Sequence, residues 1–236
     1  MRDVEVAGQR DNAGGISRRK FMGYLIAAPT LVAAADLTAA ESARAAIPTV
    51  QLTDVIDLAD VLTDAALLTA GLLHVTLNSD GSASFPLPRA EVGQGITTAI
   101  AMIIADELDL PLDKVNITLS DARPELIWNQ LTGGSNTVHA LYNQVRVAAA
   151  VARGQLAHTA AKQLAVPMPR LKLKNGVITA PDGSALTYGS LARDAAVART
   201  RAVEAQLKPS SAQSIVGTPQ PRIDARDAVT AAGDGG

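Results

Sequence analysis

Hydrophobic and polar positions along the 236-residue chain change period several times, and each change predicts an element. Leu73, Val75 and Leu77 alternate with His74, Thr76 and Asn78 as far as Asp80-Gly81, and Ser82 to Leu87 returns, which is the pattern of a β-hairpin. From Gly95 to Leu108 the spacing lengthens to Ile96, Ile100, Ile103, Ile104 and Leu108, the stripe of an amphipathic helix that Pro111 ends. Alternation resumes at Val115, Ile117 and Leu119, predicting a strand. After a polar loop, Leu141, Val145, Ala148, Ala149, Ala152 and Leu156 share one side of a second long helix. Asn175-Gly176 inside "RLKLKNGVITA" predicts another hairpin, and Thr187 to Ala196 a last short helix. Val50 to Ala70 has apolar residues at mixed spacing and reads as partly helical. The expected fold class is α+β, with small hairpins and sheets packed on two long helices. Its compact part runs from about Leu52 to Leu207, within a domain over 47–207. Residues 208–236 read as a flexible tail broken by proline and glycine.

The N-terminus changes the picture. Arg18 and Arg19 precede Phe21 and an apolar stretch from Gly23 to Ala35, and Ala43-Arg44-Ala45 offers small residues where a signal peptidase reads. The stretch is shorter than the roughly 20 residues of a membrane-spanning helix. It has no polar face, which disfavours an ordinary amphipathic helix. Residues 1–46 are therefore expected to be a twin-arginine signal, directing export to the periplasm or the outer face of the membrane, and are left out of the fold. That route carries folded, often cofactor-loaded cargo.

Composition narrows the chemistry. A formal net charge of −2 argues against a nucleic-acid partner, which needs a basic face. The absence of cysteine excludes disulfides, thiolate metal ligands and iron–sulfur clusters on this chain, so any such cluster belongs to a partner. Aromatics are scarce, and the core must be built from Leu, Ile, Val and Ala.

Both long helices have soft entrances. "EVGQG" precedes the first and "LTGGSNTV" the second. Helix N-termini carry unpaired N–H groups and partial positive charge, and glycine lets a ligand approach the backbone closely. Ser135 and Thr137 add hydroxyls, and Gln94 an amide that both donates and accepts. Gly-x-Gly before a helix is common, and "TGGSN" also suits a loop ending in a Ser or Asn cap. Together, one strand apart, the two entrances suit convergence on a single ligand such as the diphosphate and polar ring of a nucleotide-like cofactor.

The run "EVGQGITTAIAMIIADELDLPLDKVNITLSD…LTGGSNTVHALYNQVRVAAAVARGQL" resembles the molybdenum-cofactor-binding region of the xanthine dehydrogenase and aldehyde oxidase family, over most of Leu72 to Leu164. The most similar branch is that of the exported enzymes typified by the isoquinoline 1-oxidoreductase beta chain. The resemblance implies a molybdenum-cofactor-binding-domain-like fold and a molybdopterin cofactor, the cytosine dinucleotide form included. It implies that Val92, Gly93, Gln94 and Gly95 meet the pterin, with Val92 standing where the family has Met. Gly134, Ser135 and Thr137 match the loop that holds the pterin and diphosphate. The implied reaction hydroxylates an electron-poor carbon of a heterocycle or aldehyde with oxygen from water. Electrons then leave through a separate iron–sulfur subunit.

The late Gly-x-Gly-Glu motif, which carries the family's catalytic glutamate, and the Gly-Gly-Phe-Gly loop are missing from this chain. "IVGTPQPRIDARDAVT" resembles the start of the next family segment. The expectation is a split or truncated subunit, inactive alone, with no catalytic residue of its own and a further chain supplying the rest. The alternative is a non-catalytic exported binding or assembly protein, or an inactive remnant, on the same scaffold. His74, His139 and His158 are dispersed, so no metal site is expected, His139 alone lying near an entrance. Asp106-Glu107 reads as a solvated face. Asp121, Glu125 and Trp128 fall on the loop before "TGGS", where packing or loop roles compete with the edge of a substrate funnel.

Overall fold

The computed structural model describes residues 22–27, 30–35, 72–197 and 206–230. Five strands form one sheet in the order β1 (Met22–Ala27), β2 (Thr30–Ala35), β3 (His74–Leu77), β4 (Ala83–Leu87) and β5 (Val115–Leu119). Neighbours are antiparallel except β4 and β5, which run parallel. A parallel pair needs a return path, and helix α1 (Ile96–Leu108) supplies it. Alternation in the sequence matches β3 and β4 but does not reveal the parallel pairing, because a period of two says nothing about which neighbour a strand finds.

Val75, Leu77, Ala83, Phe85 and Leu87 point to one face and are fully buried. Helix α2 (Thr137–Gln163) lies against β2 and β3, and α1 packs on β5 and α2. Because α1 is enclosed by sheet and helix, it is buried almost all round, from Ile96 to Leu108. Its C-terminus closes with Asp109 in the left-handed region and Leu110 N–H donating to Ala105 O at 2.9 Å, a Schellman-type ending. All six apolar residues assigned to one side of α2 are buried.

A second sheet holds β6 (Lys172–Lys174), β7 (Val177–Thr179) and β8 (Ala185–Thr187). Asn175 and Gly176 both have positive φ, as a type I′ turn requires. The third strand goes beyond the expected hairpin, although "PDGS" before it is a turn signal. Helix α3 (Tyr188–Val197) follows at once. Gly189 near its start is needed for packing: a Cβ there would stand 2.4 Å from Ser79 O of the β3–β4 turn.

Two expectations are corrected. The first sets residues 1–46 aside from the fold, yet β1 and β2 fall among them and β2 extends the sheet from β3. The two apolar runs flanking Ala28-Pro29 suit strands, and pairing satisfies the open backbone edge of β3. Arg18, Arg19, Ala43 to Ala45 and Val50 to Ala70 lie outside the described residues.

The second correction concerns the segment expected to be a loose tail. Residues 206–224 form a strap across α1, held by Asp106 and Glu107, which are not a solvated face but 2% and 1% exposed. Asp106 accepts from the backbone N–H groups of Ser214, Ile215 and Val216 at 2.8, 3.1 and 2.8 Å. Glu107 accepts from Lys208 N–H at 2.8 Å and pairs with Arg146 and Arg153 of α2 at 3.0 and 3.1 Å. The two arginines also donate to the carbonyls of Lys208 and Gln206. A charge pair in the sequence looks solvated until it is known which backbone donors it serves. These buried carboxylates are fully engaged. The short helix α4 (Ala225–Thr230) follows the strap.

Candidate functional site

The first entrance, Val92–Gly95, is not an open set of amides. Glu91 folds back over it, and its carboxylate accepts from Gly93 N–H at 3.0 Å, Gly95 N–H at 2.9 Å, Thr97 N–H at 3.2 Å and the Thr97 hydroxyl at 3.2 Å. Burial raises the Glu91 pKa, but these donors together outweigh it and hold the carboxyl below its usual range. The internal carboxylate is therefore what approaches the glycine backbone so closely. Gln94 is also engaged within its own loop: its Oε1 accepts from Val92 N–H at 2.6 Å, and its Nε2 donates to Ala90 O at 2.9 Å. Gly93 and Gly95 sit at φ 96° and 77°, so the turn itself requires glycine. Val92 stands 75% exposed at its tip. The strap reaches this loop too, Arg222 donating to Gly93 O at 2.7 Å and lying 3.6 Å from Glu91.

The second entrance differs. Gly134 and Ser135 both have positive φ, turning the chain into α2, and no side chain caps the helix at Asn136. Gly133, Gly134 and Ser135 are exposed, and a Cβ built on either glycine would meet open space. Thr137 is buried at the first position of the helix. Behind the loop lies Arg89, 3% exposed, whose Nη1 donates to Asn136 Oδ1 at 3.2 Å. Arg89 Nε and Nη2 and Asn136 Nδ2 are buried with no hydrogen-bond partner among the described residues. None of the ion pairs among the described residues involves Arg89. Burial alone draws its pKa down to about 10, so the group stays a cation at neutral pH.

The two loops adjoin. Ala90 N–H donates to Thr132 Oγ1 at 2.9 Å, and the Arg89–Asn136 bond makes a second tie beside it. Glu107 near the end of α1 meets Arg146 and Arg153 midway along α2, so the helices run side by side in the same direction with their positive ends together. The first loop therefore begins, at Ala90, beside Thr132 and Asn136, which flank Gly133 to Ser135. A hollow of about 750 Å³ lies on another side of the first loop, between Thr97, Val115 to Thr118 and Gln220 to Asp224, and none of Val92, Gly93, Gln94, Gly95, Gly134, Ser135 and Thr137 lines it.

Trp128 is 46% exposed, so it is no core residue; Ile127 and Leu131 beside it in the sequence, and Val138 in the first turn of α2, are exposed apolar residues too. Asp121 is exposed, and Glu125 pairs with Arg123 at 2.6 Å. His139 is exposed on the first turn of α2, and His74 contacts Leu72 O through Nδ1 at 3.3 Å. Among the described residues, no group of three or more His, Asp or Glu is placed to hold a metal ion. Sequence reasoning misses Glu91 and Arg89. Glu91 stands two residues before the first glycine and has the reach to cap it, whereas nothing local marks an arginine after Pro88 as buried.

Comparison with known proteins gives a family. Residues 39–222 match the model of the molybdopterin cofactor-binding domain. A component chain of nicotinate dehydrogenase from Pseudomonas putida is 33% identical over 153 residues, 64% of this chain and 13% of that protein. The beta chain of isoquinoline 1-oxidoreductase from Brevundimonas diminuta is 33% identical over 124 residues, 50% of this chain and 16% of that protein. Among solved structures, quinoline 2-oxidoreductase from Pseudomonas putida 86 aligns with 55% of this chain and 18% of its own, at 18% identity and a TM-score of 0.43. The chain thus spans less than a fifth of the length of these relatives.

Proposed function

Because the chain belongs to the molybdopterin cofactor-binding domain family, we propose that its two adjoining helix entrances hold the molybdenum cofactor for an oxidoreductase assembled with further chains. The observation that carries this reading is the pair of ties, Ala90 to Thr132 and Arg89 to Asn136, that fasten one glycine loop to the other. Loops separated by some 40 residues are fixed side by side before any ligand arrives, which lowers the ordering cost of binding.

The residues fit such a group unevenly, and the unevenness suggests an orientation. The second entrance suits the anionic end: Gly134, Ser135 and Thr137 offer backbone and hydroxyl donors at an uncapped helix start, with unpaired buried donors behind it. The first entrance already holds an anion in Glu91, so a second negative group there would be repelled. Its exposed Val92, Gly93 and Gln94, with half-buried Gly95, suit the uncharged pterin instead. When bound, the cofactor supplies the redox chemistry of hydroxylation with water as oxygen source. The protein's part is to orient it and to present a dry, apolar approach, for which Val92, Ile127, Trp128, Leu131 and Val138 are available.

The substrate is proposed to be a nitrogen heterocycle or an aldehyde. The names of two relatives, a nicotinate dehydrogenase and an isoquinoline oxidoreductase, support the former. The catalytic glutamate is assigned to a further chain. Without cysteine here, so are the iron–sulfur clusters, and both relatives are named as components of larger enzymes. Export by the twin-arginine route and a cytosine dinucleotide form of the cofactor complete the proposal. Molybdenum and pterin are to be measured in the full chain produced together with the products of its neighbouring genes. About one of each per chain is expected, falling sharply when Gly134 and Ser135 are both replaced by bulkier residues. A folded complex free of pterin with every partner present would end the reading.

A further inference from the structure

Arg89, Asn136 and the start of α2 form a cluster of donors with no acceptor left over. The guanidinium has five N–H groups, and the one bond it makes among the described residues is to a neutral amide oxygen. Its Nε and Nη2, together with Asn136 Nδ2, are buried and unpaired among the described residues. Removing a guanidinium from water without a counter-charge is costly, and proteins rarely bury one unless something compensates it. The neighbouring charge is of the same sign: the N-terminus of the 27-residue α2 carries partial positive charge, and no carboxylate pairs with Arg89 among the described residues. At the first entrance a similar need is met internally by Glu91. At the second it is not.

We propose that Arg89 is the counter-ion of a phosphate or diphosphate group seated at the start of α2, reached through Asn136, and that this anion completes the buried cluster. The inference rests on the cofactor reading and deepens it, because it assigns the negative end of the ligand to one named cation. A phosphoryl group matches the cluster chemically: it is acceptor-only and it carries the missing charge. A neutral ligand would leave the charge where it is. Arg89 is a binding and positioning residue in this proposal and takes no part in bond making.

The test uses the full chain purified free of pterin, with inorganic phosphate and pyrophosphate as probes at constant ionic strength, followed by calorimetry and by the unfolding midpoint. The parent chain is expected to bind one probe saturably. Arg89→Met should bind at least about tenfold more weakly, a loss of roughly 1.4 kcal/mol. Without phosphate it should unfold no earlier than the parent, since it sheds an uncompensated charge. Asn136→Asp places a carboxylate beside the guanidinium, so it should raise the midpoint and abolish the phosphate response. Arg170→Met, beyond the other end of α2, serves as the control and should change neither.

Absence of saturable binding to the parent chain would overturn the proposal, as would parent-like phosphate affinity in Arg89→Met. If Arg89→Met fails to fold, Asn136→Asp decides, and unchanged affinity in that folded variant overturns it equally. Pterin content of the parent chain from a cofactor-making host separates the two ideas. Pterin present with Arg89-independent phosphate binding removes this inference alone, and a pterin-free complex removes the reading beneath it. The same measurement identifies the source of the anion: retention of pterin that depends on Arg89 assigns it to the cofactor, and phosphate binding without that dependence overturns the proposal.

Discussion

The two helix entrances look alike as text and behave as opposites in space. Each has a glycine pair, an uncharged polar residue and a following helix, and the two are tied together. At Val92–Gly95 the protein itself meets much of the demand: Glu91 takes three backbone N–H groups, Gln94 braces its own loop, and Arg222 of the strap donates to the Gly93 carbonyl. At Gly133–Thr137 the helix start is uncapped and backed by a cation with donors to spare. Glycine at a helix entrance therefore does not by itself signal a ligand. What separates a finished turn from a receptive one is whether the donors around it already have acceptors.

That contrast can be broken by removing what finishes the first entrance. Glu91→Ala should destabilise the chain by about 3 kcal/mol, since it orphans three amides and a hydroxyl bonded to a charged group. The matching change at the second entrance, Ser135→Ala, should cost under about 0.5 kcal/mol, because alanine meets the same positive φ as serine and the exposed side chain caps nothing. Chemical denaturation of both variants checks the difference, and equal costs would erase it.

Acid should act on one entrance alone. The Glu91 carboxyl titrates below its usual 4.5 in the folded chain, so its contribution is complete above that pH and is lost as pH falls through the folded value. Amide exchange at Gly93, Gly95 and Thr97, corrected for intrinsic rates, should accelerate between about pH 5 and pH 3. Exchange at Val138 and His139 should hold steady over that range.

Two smaller effects sharpen the comparison. Gly93→Ala forces a side chain onto φ 96° and should cost about 1 kcal/mol, while Gly133→Ala, with open space and no positive φ, should be near neutral. Gln94→Ala removes two hydrogen bonds from an exposed loop and should cost about 0.5 to 1 kcal/mol in stability. If Gln94 also meets the pterin, its pterin retention should fall by more than that cost explains.

Much of the scaffold was legible because its signals are local. Ile96, Ile100, Ile104 and Leu108 announced α1, the alternation through Val75 and Leu77 announced β3, and Asn175-Gly176 announced the second hairpin. The glycine loops were legible as candidates for the same reason. Less was visible of how charges are used. Asp106-Glu107 has the look of a solvated pair and is the buried hold of the strap, and Trp128 lies half exposed on a loop. The parallel pairing of β4 with β5 and the joining of β2 to β3 were equally hidden, since each depends on partners distant in the chain.

By itself, then, the order of residues determined the periods, the turns and the two glycine-bearing helix starts, all of which arise from interactions within a few positions. Only the tertiary structure decided which of those starts is already satisfied. A carboxylate or a guanidinium has no fixed role until folding sets its distance from other groups and from water. Glu91 found donors within six residues, whereas Arg89 was carried into the interior beside Asn136, 47 positions away, with more donors than acceptors to receive them.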